Sequence, residues 1–171
     1  MDKVYVEATY KSLNKLNEEL CGDRVEIVKN DDSYFVVLSD GLGSGVKANI
    51  LSTLTSKIIS TMMFQGASIE DTVETIVHTL PVCSVRKVAY STFMILQISY
   101  DGNAYLVEFD SPGCIFVRDG RLMNIEYNHR SIAGKEIKEA HFKVKPNDFM
   151  MLLSDGVVYA GIGELMNLGW T

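Results

Sequence analysis

The 171-residue sequence predicts an α+β sandwich, and two observations carry that prediction. Runs of Val, Ile, Tyr and Phe are separated by short turn signals, the pattern of strands that pair with their neighbours along the chain. Two helix-period segments also follow one another with no strand between them, whereas a parallel βαβ fold alternates the two kinds of element.

Residues 3 to 10, 24 to 29 and 34 to 39 read as strands, and Asn30-Asp31-Asp32-Ser33 supplies the turn that makes a hairpin of the last two. From Val46 onward, Val46, Ile50, Leu51, Leu54, Ile58, Ile59 and Met62 recur at helical spacing. They predict a helix that buries this stripe and ends at Gly66. Ser68 with Asp71 three residues on resembles a capping box, and Ile69, Val73, Ile76, Val77 and Leu80 carry a second helix to Pro81. After Tyr90, β-forming runs broken by Asp101-Gly102, Ser111-Pro112-Gly113 and Asp119-Gly120 predict an antiparallel meander. A strand around 137 to 143 and the apolar run Phe149 to Leu153 complete the set. No repeat or linker divides the chain, so residues 1–171 read as a single domain.

Composition narrows the function. With 47% hydrophobic and 22% charged residues the chain has the balance of a globular protein. A net charge of −6 with 16 scattered basic residues argues against a grip on nucleic acid, whose affinity comes from clustered Lys and Arg. Cys21, Cys83 and Cys114 are odd in number, lack zinc spacing and fit a reducing, cytoplasmic setting. The apolar runs fall short of the roughly 18–20 residues of a membrane span and Met1 opens no signal peptide, although a parent protein could be tethered by other segments.

The chemistry concentrates at two strand ends. Phe35 to Leu38 leads into Ser39-Asp40-Gly41-Leu42-Gly43-Ser44-Gly45, a strand whose exit fixes a carboxylate and, through Gly41, leaves a backbone carbonyl accessible to a hard cation. The bland alternative is an Asp-Gly turn before a helix. A phosphate-cradling P-loop is absent, because Lys47 lies between Val46 and Ala48. The dinucleotide fingerprint fails too: the third glycine comes one place early and no acidic residue occurs between Asp40 and Glu70. The arrangement repeats at Ser154-Asp155-Gly156 after Phe149 to Leu153. Whether those strands are neighbours in one sheet or face each other across a sandwich, Asp40 and Asp155 could meet around a metal pair. Two buried carboxylates so close repel unless one is protonated or a cation lies between them. Asp23, just before the hairpin, is a third candidate.

The set Gly22-Asp23, Leu38 to Ala48, Tyr90-Ser91-Thr92-Phe93 and Leu152 to Val157 resembles the PPM-type serine/threonine phosphatases, specifically the stage II sporulation protein E branch. The resemblance implies a PPM-type β-sandwich of antiparallel sheets in α-β-β-α layers. It implies two divalent cations, manganese or magnesium, with Asp40 bridging them, Gly41 offering its carbonyl, Asp155 holding one, and Asp23 acting mostly through metal-bound water. A metal-activated water would then attack phosphorus directly, and Asp40, Asp155 and Asp23 would be the catalytic set. The implied partner is a phosphorylated protein, in this branch a small regulator such as an anti-anti-sigma factor; no nucleic acid or membrane contact is expected of this segment, and a homodimer is left open.

The sequence also departs from that pattern. Leu42 stands where many eukaryotic members have histidine, so no general acid is assigned, and His78, His129 and His141 read as surface or structural residues. Members of the family usually continue past Asn167-Leu168-Gly169-Trp170 to one more metal aspartate, so the domain is expected to be shortened at its C-terminal end, and Glu164 is no assumed substitute. Arg24 reads as a solvated arginine before a phosphate ligand. Met62, Met63, Met150, Met151 and Met166 read as adaptable core filling. Ser91 and Thr92 start a strand and lie under the expected site. The competing functional reading is a non-catalytic module that keeps the fold for protein binding or self-association.

Overall fold

The computed structural model describes residues 3–79, 91–132 and 134–160. The expected hairpin is present as β1 (Asp23–Lys29) and β2 (Ser33–Gly41). Asn30 builds its turn: the side-chain Oδ1 accepts the N–H groups of Asp32 at 3.0 Å and Ser33 at 2.9 Å, while its own N–H donates to the Ser33 carbonyl. Pairing then runs antiparallel from Lys29 opposite Tyr34 to Asp23 opposite Asp40.

β2 pairs next with β3 (Ser91–Ser99), β3 with β4 (Asn103–Phe109), β4 with β8 (Lys135–Lys143) and β8 with β7 (Asn128–Ile132), giving the large sheet the order β1-β2-β3-β4-β8-β7. A small sheet has the order β6-β5-β9, from β5 (Cys114–Arg118), β6 (Arg121–Met123) and β9 (Phe149–Leu152). One face of the large sheet, with Leu38, Met94, Leu96 and Leu106, packs on Cys114, Met150 and Leu152 of the small one. The other face, with Phe35, Val37, Phe93, Ile95 and Ile137, is covered by α1 (Gly45–Phe64) and α2 (Ile69–Thr79) through Ile59, Met63, Ile69, Val73 and Ile76. Each of these large side chains contributes about 1.5–3 kcal/mol by leaving water. The capping box holds: the Ser68 hydroxyl accepts the Asp71 N–H at 3.0 Å and lies 2.7 Å from its carboxylate. Leu80, Pro81, Cys83, Tyr90, Glu164, Met166 and the 167–170 region lie outside the described residues. Among the described residues no helix is long and apolar enough to cross a membrane.

Three expectations are corrected. First, the expected stripe of α1 holds only in its second half, where Ile59 is buried and Ile58 packs on the core; Val46, Ile50 and Leu54 are 62%, 59% and 45% exposed, and the buried face is Ala48, Ser52, Thr55, Ser56, Ile59, Ser60 and Met63. At its N-terminal end the helix lies so close to β2 that small side chains line the contact, Ala48 packing on Gly41. Four buried hydroxyls make this face tolerable by donating to carbonyls three or four residues back, Ser52 to Asn49, Thr55 to Leu51, Ser56 to Thr53 and Ser60 to Lys57. Second, residues 3–10 form no strand. Val4 and Val6 turn inward onto the core between the sheets and Tyr5 turns out, but the one backbone bond outside regular elements, Val4 N–H to Tyr100 carbonyl at 2.8 Å, does not make a ladder. Third, the meander breaks at Ser111-Pro112-Gly113. That segment carries the chain from β4 in the large sheet to β5 in the small one, and β8 takes the place beside β4.

Candidate metal centre

Period-two alternation decides which way β2 aims its last side chains. Phe35, Val37, Ser39 and Gly41 belong to the helix side, and Leu38 and Asp40 to the side facing the small sheet. Asp23, directly opposite Asp40, shares that side. From across the sandwich, the turn after β9 delivers Ser154, whose hydroxyl donates to Asp23 Oδ2 at 2.7 Å, and then Asp155, the first residue of the one-turn helix α3 (Asp155–Val158). The two Ser-Asp-Gly strand ends therefore meet across the sandwich.

The electrostatics follow from that meeting. Burial, then the charges of Asp23 and Asp155, then hydrogen bonding to both side chains push the Asp40 carboxyl up to about 8. Two like charges beside a half-buried third are a site with too much negative charge for its surroundings. Carboxylates and a neighbouring backbone carbonyl are the oxygen donors of a hard divalent cation, whose charge would offset the repulsion among them, so the residues fit one in donor chemistry and placement. Among the described residues, however, no group of three or more His, Cys, Asp and Glu side chains is set out as a finished metal site.

Packing alone calls for glycine at 41. A Cβ there would lie 2.0 Å from the Ala48 carbonyl oxygen and 2.7 Å from its carbon, inside the backbone of α1. The Gly41 N–H donates to the Gly22 carbonyl at 3.1 Å, and Asn49 of α1 donates to the Cys21 carbonyl at 2.8 Å, tying the segment before β1 to the loop. Beneath Asp40 lies a pair of fully buried hydroxyls. Ser91 donates to the Asp40 carbonyl at 2.9 Å and sits 2.7 Å from Ser39. Ser91 lies under the site as expected, whereas Ser39 and Ser154 are residues a reading of carboxylates alone misses; the repeated Ser-Asp-Gly was the available signal, although Ser39 faces a strand neighbour and Ser154 faces Asp23.

The other candidates lie elsewhere. Arg24, on the opposite face of β1 from Asp23, pairs with Glu26 at 3.1 Å, as does Lys57 at 2.8 Å. His78 lies near Glu74, His129 binds Glu136 at 2.7 Å, and His141 stacks on Tyr105 with ring centroids 4.0 Å apart. None joins the carboxylates. Met63 and Met150 fill the two cores as expected, while Met151 is 38% exposed.

This sandwich with carboxylates at its rim is a PP2C-like phosphatase fold. The PP2C phosphatase domain with a fragment of the regulatory domain of SpoIIE from Bacillus subtilis superposes with a TM-score of 0.74 at 20% identity, over 86% of this chain and 45% of that one. The RsbU and RsbW domains of Rv1364c from Mycobacterium tuberculosis give 0.71 at 15% identity, over 85% and 42%. RsbX in complex with magnesium gives 0.66 at 20%, over 86% and 72%. The chain thus spans less than half the length of the first two. No curated protein sequence matches it. The family model of stage II sporulation protein E matches residues 30–167, and the chain belongs to the SpoIIE family.

Proposed function

We propose that this chain is a metal-dependent serine/threonine phosphoprotein phosphatase module that uses Asp40, Asp155 and Asp23, with the Gly41 carbonyl, to hold two divalent cations, manganese or magnesium. The observation that supports it most is the convergence of Asp23 and Asp40, opposite each other in one hairpin, with Asp155 from across the sandwich, where burial and the neighbouring charges push the Asp40 carboxyl up. When bound, such cations act as Lewis acids, lowering the pKa of water and taking up charge on phosphoryl oxygens. The chain's own residues orient the donors. Ser154 fixes Asp23, Ser91 fixes the backbone of Asp40, and the Gly41–Ala48 contact sets the strand exit against α1. Family and fold support the phosphatase class. A phosphorylated regulator of the anti-anti-sigma type fits the family, and the pairing of RsbU and RsbW domains in the Mycobacterium chain supports a regulatory setting. The test is phosphate release from a phosphoserine peptide with manganese, with EDTA and with Asp40→Asn. Manganese-dependent release lost in the variant supports the proposal.

A second reading, a non-catalytic module for protein binding or self-association, is favoured by the carboxylates not being set out as a finished site. Absence of both manganese binding and phosphate release would make it the better account.

A further inference from the structure

A small cavity lies behind the carboxylates, between the sheets, with a volume of about 10 Å3. Its polar wall is Asp40, Thr92, Ser111 and Ser154, set among Leu38 and Leu153. Ser111 sits on the crossover from β4 to β5, between Asp110 at φ 48° and Gly113 at φ 108°. Its Oγ is buried and makes no hydrogen bond among the described residues. A buried hydroxyl without a partner is costly, and native proteins keep few of them.

Two other polar groups near the wall are engaged. The Ser154 hydroxyl donates to Asp23, and the Thr92 carbonyl lies 3.3 Å from the hydroxyls of both Ser39 and Ser91. Asp40 shares the wall with Ser111 and is its one carboxylate, and an ionised carboxylate offers about four acceptor sites. We propose that Ser111 is a positioning residue for Asp40, donating to its carboxylate from behind, directly or through the single water the cavity admits, when a divalent cation occupies the front. This rests on the metal-centre reading above. Residues that hold a metal-binding carboxylate from behind typically change metal affinity by about 10–100-fold when removed.

The experiment titrates manganese into the wild-type chain, Ser111→Ala, Ser111→Thr and Asp40→Asn by calorimetry, and measures the urea midpoint of each in EDTA. Ser111→Ala is expected to keep or raise the midpoint, because it deletes an unpartnered buried hydroxyl, and to bind manganese roughly tenfold more weakly. Ser111→Thr, which keeps the hydroxyl, is expected to recover most of that affinity; should its extra methyl prevent folding, the opposite signs of stability and affinity in Ser111→Ala carry the result. Wild-type manganese affinity in Ser111→Ala, or a lowered midpoint in EDTA, overturns the inference. If Asp40→Asn abolishes binding while Ser111→Ala does not, this inference alone falls. If the wild-type chain binds no manganese, the metal-centre reading falls with it.

Discussion

Replacing Gly41 with alanine places one methyl group where the backbone of α1 already lies. The new Cβ would meet the Ala48 oxygen, carbon and Cα at 2.0, 2.7 and 2.9 Å. Ordinary contact begins near 3.5 Å, so the strand exit and the helix must separate by about 1.5 Å. The obstacle is main chain, which no rotamer change removes, and Ala48 is itself fully buried. Overpacking costs about 1–3 kcal/mol, and this case belongs at the upper end. For a domain of this size each kcal/mol lowers Tm by about 2–4 °C, so a fall of about 6–12 °C is expected. Thermal unfolding by circular dichroism in EDTA reads it, and manganese titration should show weaker binding, because Asp40 is the adjacent residue. Gly156→Ala is the control: its Cβ meets nothing within 4 Å and its φ lies outside the left-handed region. It should stay within about 0.5 kcal/mol of wild type. A Gly41→Ala protein melting within a degree of wild type would refute the close approach of β2 and α1.

Ser154→Ala removes the hydroxyl that holds Asp23, a hydrogen bond to a charged group worth about 1.5–3 kcal/mol, and should lower both the urea midpoint and manganese affinity. On α1, Ile50→Glu at the exposed stripe should leave the urea midpoint nearly unchanged, whereas Ser56→Leu on the fully buried face should cost about 1–3 kcal/mol. Arg118 holds the Asp148 carboxyl below the usual range through bonds of 2.8 and 2.7 Å. Because the folded value is depressed, the pair's stabilisation is present above the ordinary carboxylate pKa and is lost as pH falls through the folded value. Asp148→Asn should therefore be less stable than wild type at pH 7, with the gap closing below about pH 4 in urea titrations.

The hairpin, the second helix and the two Ser-Asp-Gly strand ends were legible because each is set by local chemistry: the Asn30 turn, the Ser68 cap, and an apolar run ending in a carboxylate. The face of α1 was not. Periodicity reports where apolar residues recur, and in the first half of α1 they recur on the outside, since proximity to β2 there leaves the inner face to Ala48, Ser52 and Ser56, while Ile59 and Met63 are buried further along. Residues 3–10 show the same limit from another side: alternation reports which side chains turn inward, and a ladder requires a partner strand in addition. Asp23, Asp40 and Asp155 were each visible as candidates, but their meeting depends on β9 lying in the second sheet, which neither spacing nor composition encodes.

The hairpin that carries Asp23 and Asp40 works as a ruler whose zero mark is Asn30. The side chain of Asn30 sets how many residues the turn consumes, and the count made there is read off seven residues back, roughly 24 Å along β1, as the carboxylate that stands opposite Asp40. One residue gained or lost at Asp31 would shift the scale by a single step, bringing Gly22 or Arg24 opposite Asp40 and turning Asp23 toward α1. The site is thus calibrated from the far end of the sheet, at a turn that touches none of its carboxylates.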